Sequence, residues 1–286
     1  NQNIGDDHDK ILSKTILGFS NYVKKIKPDL VIIHGDRIEP LACAIVCCLN
    51  NIRIAHFEGG ELSGTVDEMF RHSISKLCNI HFVSNSLAKK RLIQMGENRK
   101  NIFITGSPDI DLILNKKLPN LSETKKRYDL KFQKFSLAIF HPVTTDILNL
   151  KKNTKMFVKA LILSKKNYII IYPNNDLGSK IIINELKKIR LKHIKIFPSL
   201  RFENYLTLLK NSEFIIGNSS SGVREAPTIG IKSINIGSRQ FGRSRAKSII
   251  NCRPTERNIL YSIKLTNKMI VKKDNFFGDG NASFIF

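Results

Sequence analysis

The 286-residue chain lacks several features that would assign it to other classes of protein. No apolar run reaches the roughly 20 residues that a membrane-spanning helix requires, and residues 1–10 are polar and acidic, unlike a secretory signal. Neither a P-loop nor a G-x-G-x-x-G motif occurs, so the use of ATP or NAD is not indicated. We therefore expect a soluble cytoplasmic protein without a membrane segment and without an organic redox cofactor.

Cysteine is scarce and poorly spaced for disulfides or zinc. The chain has five cysteines with no C-x-x-C pair, and their odd number leaves one unpaired in any disulfide scheme. They are Cys43, Cys47, Cys48, Cys78 and Cys252. Four of the five lie in apolar periodic segments, so we expect reduced, buried thiols and no metal site.

Acidic residues are few relative to basic ones. The 24 Asp and Glu against 47 Lys and Arg give a formal net charge of +23, which is compatible with nucleic-acid binding. The basic residues are, however, spread along the whole chain, and no aromatic RNA-binding motif accompanies them. We expect an anionic small-molecule substrate and no nucleic-acid partner, and we keep nucleic-acid binding as the non-enzymatic alternative.

Short apolar runs alternate with amphipathic helical patterns along most of the chain. Helices between short buried strands are typical of parallel sheets covered on both faces. The stretch 116–135 is rich in Lys, Asn and Ser and lacks this periodicity. We therefore predict an α/β fold with a first domain at 1–115, a linker at 116–135 and a second domain at 136–286.

Polar residues follow the first two predicted strands. The first strand leads into His34-Gly-Asp-Arg37, the second into His56-Phe-Glu58, and a loop then leads to a helix containing Asp67 and Arg71. Asp67 precedes Arg71 by four residues, so the two share a helix face. For any single residue, helix capping or a surface ion pair is the simpler explanation. Because ligands lie beyond the carboxyl ends of parallel strands, the set together favours an acid–base site in a cleft.

The second predicted domain offers groups suited to a nucleoside diphosphate. Asn218-Ser-Ser-Ser-Gly222 opens a helix, where small residues and backbone N–H groups suit a phosphate, although a serine N-cap is the alternative explanation. Glu225 in the next turn could accept ribose hydroxyls. Arg239 and Arg243 follow a later strand and could neutralise a diphosphate. His141 ends the first strand of this domain and is expected to face the same cleft.

Six ordered segments resemble the UDP-N-acetylglucosamine 2-epimerase family. They are HGDR at 34–37, HFEGGELSGTVDEMFRH at 56–72, GSPD at 106–109, HPVTT at 141–145, GNSSSGVRE at 217–225 and GSRQFGR at 237–243. The SGTVDE stretch at 63–68 resembles the hydrolysing branch, which supplies sialic acid and related nonulosonic acid synthesis. The resemblance implies a GT-B-like fold of two Rossmann-like domains with parallel sheets facing a cleft, no cofactor and a homo-oligomer.

The resemblance also implies residues beyond both ends of this chain. Family members have further strands of the first domain before the region matching Asn1, and a helix after the region matching 278–282. The chain also does not begin with methionine. We therefore expect a piece of a longer protein, with an incomplete first domain that exposes apolar sheet edges.

The family reaction implies roles for individual residues. UDP-GlcNAc loses UDP across C1–C2, and water then adds to the glycal with inversion at C2, which gives ManNAc. The resemblance implies Glu58 as the base, Asp36 and Asp67 for the water and the glycal, and His56 as an orienting or proton-relaying group. The nucleotide sugar is then expected to be bound by Arg37, Arg71, His141, Ser219, Ser220, Gly222, Glu225 and Arg239, with Glu225 on the ribose.

Three enzymatic alternatives remain open from the sequence. The sugar could be a 2,4-diacetamido-trideoxy analogue of the legionaminic acid pathway, or the base could be guanine. A GT-B glycosyltransferase would transfer the sugar to an acceptor instead of to water. Release of free ManNAc and UDP without an acceptor distinguishes hydrolysis from transfer.

Overall fold

The protein is described from a computed structural model that defines residues 8–115 and 117–286. These residues form two compact units. Unit 1 consists of the described residues up to Leu112 together with Phe277–Phe286, and unit 2 consists of the described residues of Ile113–Phe276. Residues 1–7 of the predicted first domain and Lys116, the first residue of the predicted linker, lie outside the described residues.

Unit 1 is built on a parallel sheet that has four strands among the described residues, in the order β1-β2-β3-β4. The strands are β1 (Leu30–His34), β2 (Arg53–Phe57), β3 (Ile80–Val83) and β4 (Ile102–Ile104). The accompanying helices are α1 (His8–Ile26), α2 (Ile38–Leu49), α3 (Val66–Leu77), α4 (Ser86–Gln94) and α5 (Pro108–Asn115), of which α5 continues into unit 2 from Ile113. The strand at one edge, β1, exposes 52% of Ile32, as expected for an apolar sheet edge.

Unit 2 is built on a second parallel sheet, with six strands among the described residues in the order β10-β9-β8-β5-β6-β7. The strands are β5 (Ser136–Ile139), β6 (Tyr168–Ile171), β7 (Ile194–Phe197), β8 (Ile215–Gly217), β9 (Ser233–Ile236) and β10 (Ile249–Cys252). The helices are α6 (Leu121–Arg127), α7 (Leu150–Leu163), α8 (Ser179–Leu186), α9 (Phe202–Lys210), α10 (Glu225–Ile229) and α11 (Glu256–Thr266). The central strand β5 is buried along its whole length, as a two-sided apolar run requires.

The predicted linker contains a helix and forms part of unit 2. Asn120 caps α6, since its Oδ1 accepts the N–H groups of Ser122 and Glu123 at 2.8 and 3.2 Å. Thr124 on this helix is fully buried, and its Oγ1 accepts a hydrogen bond from Asn204 Nδ2 at 3.3 Å. The seven-residue helix is too short to show a clear 3.6-residue period. The sequence pattern therefore predicts a linker where the structure has a helix.

The last ten residues pack with unit 1, whereas the sequence reading placed them in the second domain. Asp111 accepts the N–H groups of Ala282 and Ser283 at 2.9 and 2.7 Å and so holds the start of α12 (Ala282–Ile285). Phe286 contacts Phe57 and Phe82 edge-on, with ring centroids 5.1 and 4.8 Å apart. These contacts join positions far apart in sequence, which local patterns do not reveal.

The α/β prediction is confirmed, because both sheets are parallel and helices connect their strands. No helix in the described ranges is both long and apolar enough to cross a bilayer. All five cysteines are free, but they are not uniformly buried: Cys47 and Cys78 are buried, whereas Cys48 is exposed on α2. Cys48 follows Cys47 directly and therefore points to a different side of the helix.

Candidate active site

Two polar turns lie side by side at the carboxyl end of the unit 1 sheet. His34 ends β1 in register with Phe57, which ends β2, and the Gly35 N–H donates to the Phe57 carbonyl at 3.3 Å. The turns that follow these strands carry Asp36 and Glu58. The sheet thus places two of the predicted carboxylates, Asp36 and Glu58, on adjacent turns, as the strand-end rule expects.

Glu58 occupies an unusual backbone conformation. Its φ is +66°, in the left-handed region that side chains other than glycine adopt at a cost of about 1–3 kcal/mol. The Glu58 N–H donates to the Phe82 carbonyl at 2.9 Å, which ties the turn to β3. Only 7% of the residue is exposed. A buried carboxylate on strained backbone is a feature that clusters at functional sites.

The two oxygens of the Glu58 carboxylate have different neighbours. Ser107 Oγ donates to Oε1 at 2.5 Å, and His34 Nε2 lies 3.4 Å from Oε2. Ser107 is itself fixed, because its N–H donates to the Phe277 carbonyl at 2.7 Å. Ser107 stands in the family-like GSPD segment, but the sequence reading gave it no role.

Asp109 lies near the same carboxylate. Ligand atoms of His34, Glu58 and Asp109 all lie within 4.8 Å of one another, a grouping of described residues that could hold a metal ion. The donor types, one imidazole and two carboxylates, fit a divalent cation. The sequence predicts no metal ion, and a metal-binding experiment on these three residues would test that prediction.

Arg71 is a positioning residue for Asp36. Its side chain is only 1% exposed, its Nη2 pairs with Asp36 Oδ2, and its Nη1 donates to the Glu61 carbonyl at 2.8 Å. The sequence reading assigned Arg71 to substrate binding and placed it on one helix face with Asp67. Both residues do lie four positions apart on α3. The guanidinium is enclosed and bonded to two groups of the protein, so the structure gives it a second role, which is to hold the Asp36 turn.

His56 is also enclosed. It is 0% exposed, with Nε2 2.9 Å from the Gly35 carbonyl and Nδ1 3.1 Å from Ser75 Oγ. Because a carbonyl only accepts, Nε2 carries the proton. Burial lowers the pKa of His56 to about 4, so the ring is neutral near neutral pH. These contacts favour an orienting role for His56, since the ring joins β2 to the turn that carries Asp36.

The loop before α3 is closed by its own acidic residues. Thr65 Oγ1 donates to Asp67 Oδ2 at 2.9 Å, and the Ser63 N–H donates to Glu68 Oε2 at 2.5 Å. Asp67 remains half-exposed.

Arg37 stands at the start of α2, with 54% of its side chain exposed and its Nε 4.0 Å from Glu39 Oε2. Asp67 and Arg37 are therefore accessible to a ligand, unlike Arg71.

In unit 2, Asn218 and Asn174 hold His141. Asn218 Oδ1 accepts the His141 N–H at 2.6 Å, and its Nδ2 donates to the His141 carbonyl at 2.9 Å. Asn174 Oδ1 lies 3.0 Å from the ring Nδ1, and the Asn174 N–H lies 3.3 Å from the same atom. The imidazole is thus oriented from its Nδ1 side by a residue that follows β6.

Arg239 is held by a second residue of the same segment. Its Nη2 lies 3.8 Å from Asp176 Oδ2, with both side chains at most 13% exposed. Arg239 Nη1 and Gln240 Nε2 donate to the Asn218 carbonyl at 3.4 and 3.1 Å. The sequence reading missed Asn174 and Asp176. They follow strand β6, so the strand-end rule that selected His141 would have found them.

The serine-rich loop contains a short 3₁₀ turn, Ser220–Gly222, and α10 starts after it, at Glu225. Ser219 caps the turn, with its Oγ accepting the Ser221 N–H at 3.3 Å. Ser219 and Ser220 are half-buried. Gly222 has no room for a side chain, since an added Cβ would lie 2.7 Å from Ser233 Oγ.

Glu225 lies beside a buried tyrosine, Tyr205. Burial, and then the charge of Glu225, raise the pKa of Tyr205, whose hydroxyl is hydrogen-bonded to Ser221. Glu225 itself is half-buried. Unit 2 therefore brings the predicted residues His141, Ser219, Ser220, Gly222, Glu225 and Arg239 to the carboxyl ends of β5, β8 and β9.

Comparison with known proteins finds relatives that are named as 2-epimerases of sugar nucleotides. The chain is 47% identical over 264 residues to a UDP-N-acetylglucosamine 2-epimerase of Neisseria meningitidis serogroup B, covering 92% of this chain and 70% of the relative. It is 36% identical over 278 residues to a UDP-N,N'-diacetylbacillosamine 2-epimerase (hydrolyzing) of Legionella pneumophila, covering 96% of this chain and 74% of the relative.

The fold is also that of solved enzymes. The structure of Methanocaldococcus jannaschii UDP-GlcNAc 2-epimerase in complex with UDP-GlcNAc and UDP matches with a TM-score of 0.83 at 21% identity, covering 98% of this chain and 80% of that one. This confirms the predicted GT-B-like class with two Rossmann-like units. The family model described as UDP-N-acetylglucosamine 2-epimerase matches residues 1–284. The chain therefore belongs to the UDP-N-acetylglucosamine 2-epimerase family.

Proposed function

We propose that the protein hydrolyses UDP-GlcNAc to ManNAc and UDP in the cytoplasm, as a step of sialic acid or related nonulosonic acid synthesis. The observation that carries the proposal is the placement of Glu58: a buried carboxylate on left-handed backbone, with one oxygen hydrogen-bonded to Ser107 and the other facing His34. The five free thiols are consistent with a reducing compartment.

The reaction begins with an elimination. Glu58 removes the proton on C2, the electron pair of that bond forms the C1=C2 double bond, and the C1–O bond breaks as UDP leaves with its electrons. A hydroxyl from water then adds to C1. A proton adds to C2 on the face opposite to the one from which Glu58 removed it, so C2 is inverted and the product is ManNAc. In this second step Asp36 and Asp67 act as the acid–base groups for the water and the glycal. His56 orients the turn that carries Asp36.

The residues of unit 2 bind the leaving group in this proposal. His141 and Arg239 supply donors and positive charge for the diphosphate, and Ser219 and Ser220 supply hydroxyls and backbone N–H groups. Glu225 accepts the ribose hydroxyls. For Arg37, whose side chain is 54% exposed, we propose binding to the nucleotide sugar.

Incubation of the complete protein with UDP-GlcNAc in deuterated water tests the proposal. NMR of the products should show free ManNAc with one deuterium at C2 and one equivalent of UDP. Intact UDP-ManNAc would indicate epimerisation without hydrolysis, and transfer only in the presence of an acceptor would indicate a glycosyltransferase. Either result contradicts the proposal.

A second substrate deserves a direct comparison because of the Legionella relative, whose name specifies a diacetylated bacillosamine sugar on UDP. The values of kcat/KM for UDP-GlcNAc and for UDP-N,N'-diacetylbacillosamine, measured in one preparation, decide between the two sugars. GDP-linked analogues test the base in the same way.

We also propose that the protein is a homo-oligomer. Sedimentation of the complete protein tests this proposal.

A further inference from the structure

We propose that His34 receives the proton that Glu58 removes from C2 and passes it to solvent, so that the two residues form a short proton path. This inference rests on the proposed function, because it assigns a fate to the proton of the elimination step. It gives an individual role to His34, which the strand-end argument had included only as a member of the acid–base set.

The exposures of the two side chains support a path in this direction. Only 10% of the Glu58 side chain is exposed, whereas 48% of the His34 side chain is exposed. A carboxylic acid that forms in an enclosed place must lose its proton before the next turnover. The imidazole Nε2, 3.4 Å from Glu58 Oε2, is the group that links this carboxylate to the exposed side.

The position of His34 is defined by the fold. It is the last residue of β1, and its ring lies edge-on to Phe57 at a centroid distance of 6.3 Å. Two ionisable groups of the described residues lie near it, Glu58 and Asp109, whose ligand atoms are within 4.8 Å of its own. Ser107 occupies Glu58 Oε1, which leaves Oε2 as the oxygen that faces the imidazole.

The proton balance of the path is simple. Glu58 Oε2 takes the proton from C2 and becomes neutral, and the electron pair leaves with UDP through the new double bond. His34 Nε2 takes the proton from Oε2, which regenerates the carboxylate and forms an imidazolium. The imidazolium then gives its Nε2 proton to water, so His34 returns to the neutral form that can accept again at Nε2.

His56 does not suit this role, although the sequence reading considered it for proton relay. It is 0% exposed, and its two ring nitrogens contact the Gly35 carbonyl and Ser75 Oγ. An imidazole that cannot reach solvent and must keep its proton on Nε2 is suited to orienting the turn. His34 lies at the end of the neighbouring strand and has the access that His56 lacks.

The test compares His34→Ala with a matched control, His193→Ala, which removes a histidine of unit 2 that precedes β7. Loss of the proton path should lower kcat for UDP release about 100-fold, with KM changed less than about 3-fold. Added imidazole should restore part of the activity of His34→Ala and leave His193→Ala unchanged. Unaltered kcat in His34→Ala, or a loss that imidazole does not relieve, would overturn the proposal.

Two further measurements separate the path from its rivals. If a chelator abolishes wild-type activity and a divalent cation restores it, the grouping of His34, Glu58 and Asp109 is a metal site and the path is wrong. NMR titration of His34 in the wild type and in Glu58→Gln reports the coupling without turnover. A shift of the His34 titration supports the pair, and no shift overturns it, whether or not the wild type releases UDP.

Discussion

Arg71 and Asp36 form an ion pair in unit 1, with the guanidinium on α3 and the carboxylate in the turn after β1. Arg71 is almost fully buried, so its charge depends on Asp36 and on the Glu61 carbonyl for compensation. The pair fixes the turn that carries one of the proposed catalytic carboxylates. Its removal should therefore affect both folding and catalysis.

Arg71→Met should lower the free energy of unfolding by about 3 kcal/mol, because it removes the buried ion pair with Asp36 and the hydrogen bond to the Glu61 carbonyl. Urea denaturation measures the loss. Arg37→Met is the matched control: 54% of the Arg37 side chain is exposed, so we expect a change within about 0.5 kcal/mol. Equal stabilities of the two variants would contradict the positioning role of Arg71.

Asn174→Ala should weaken binding of UDP about tenfold, because the His141 ring loses the side-chain contact from Asn174 Oδ1 and keeps only the backbone N–H of that residue at its Nδ1. Isothermal titration calorimetry with UDP measures the change. Asn175→Ala removes the neighbouring amide, which is exposed, and should bind UDP like the wild type. A Kd for Asn174→Ala that matches that of Asn175→Ala would separate Asn174 from the diphosphate site.

Gly60→Ala should disrupt the turn that carries Glu58. Its φ is +76°, and an added Cβ would lie 2.4 Å from the Ala88 carbonyl oxygen. Gly96 has a similar φ of +86° but open space around it, so Gly96→Ala measures the backbone strain alone. Thermal or urea unfolding should show Gly60→Ala to be less stable than Gly96→Ala by about 2 kcal/mol. Equal losses would mean that the turn can move away from α4.

His56 should make stability depend on pH. Its pKa falls from 6.5 in the unfolded chain to about 4 in the folded protein because of burial. The unfolded state therefore binds more protons between these values, so stability is complete above pH 6.5 and falls as the pH drops toward 4. The loss should reach about 3 kcal/mol. His56→Asn should reduce this slope in urea denaturation at several pH values, and an unchanged slope would assign it to other groups.

Strand patterns and the strand-end rule predict much of this molecule. Buried apolar runs such as β5 are read directly from the sequence, and the rule led to Glu58, His141 and the serine loop because parallel strands end at one edge. The same rule applied to β6 would have found Asn174 and Asp176.

Long-range contacts set the rest. The helix-face rule places Arg71 beside Asp67 on α3, but it does not reveal that the buried guanidinium pairs with Asp36, 35 residues away in sequence. Phe286 packs on Phe57 and Phe82, which brings the last residues to unit 1. The seven-residue helix α6 is too short for its 3.6-residue period to be recognised in the sequence. The left-handed backbone at Glu58 could not be predicted either, because glutamate is not a residue type that indicates a positive φ.

Glu58→Gln provides the most direct test of the claim that this carboxylate removes the C2 proton. The substitution keeps the size of the side chain and one oxygen for Ser107 but abolishes the base. With UDP-GlcNAc as substrate, the variant should release UDP at least about 100-fold more slowly than the wild type and should incorporate almost no deuterium at C2. Release of UDP and incorporation of deuterium at near-wild-type rates would show that another group is the base.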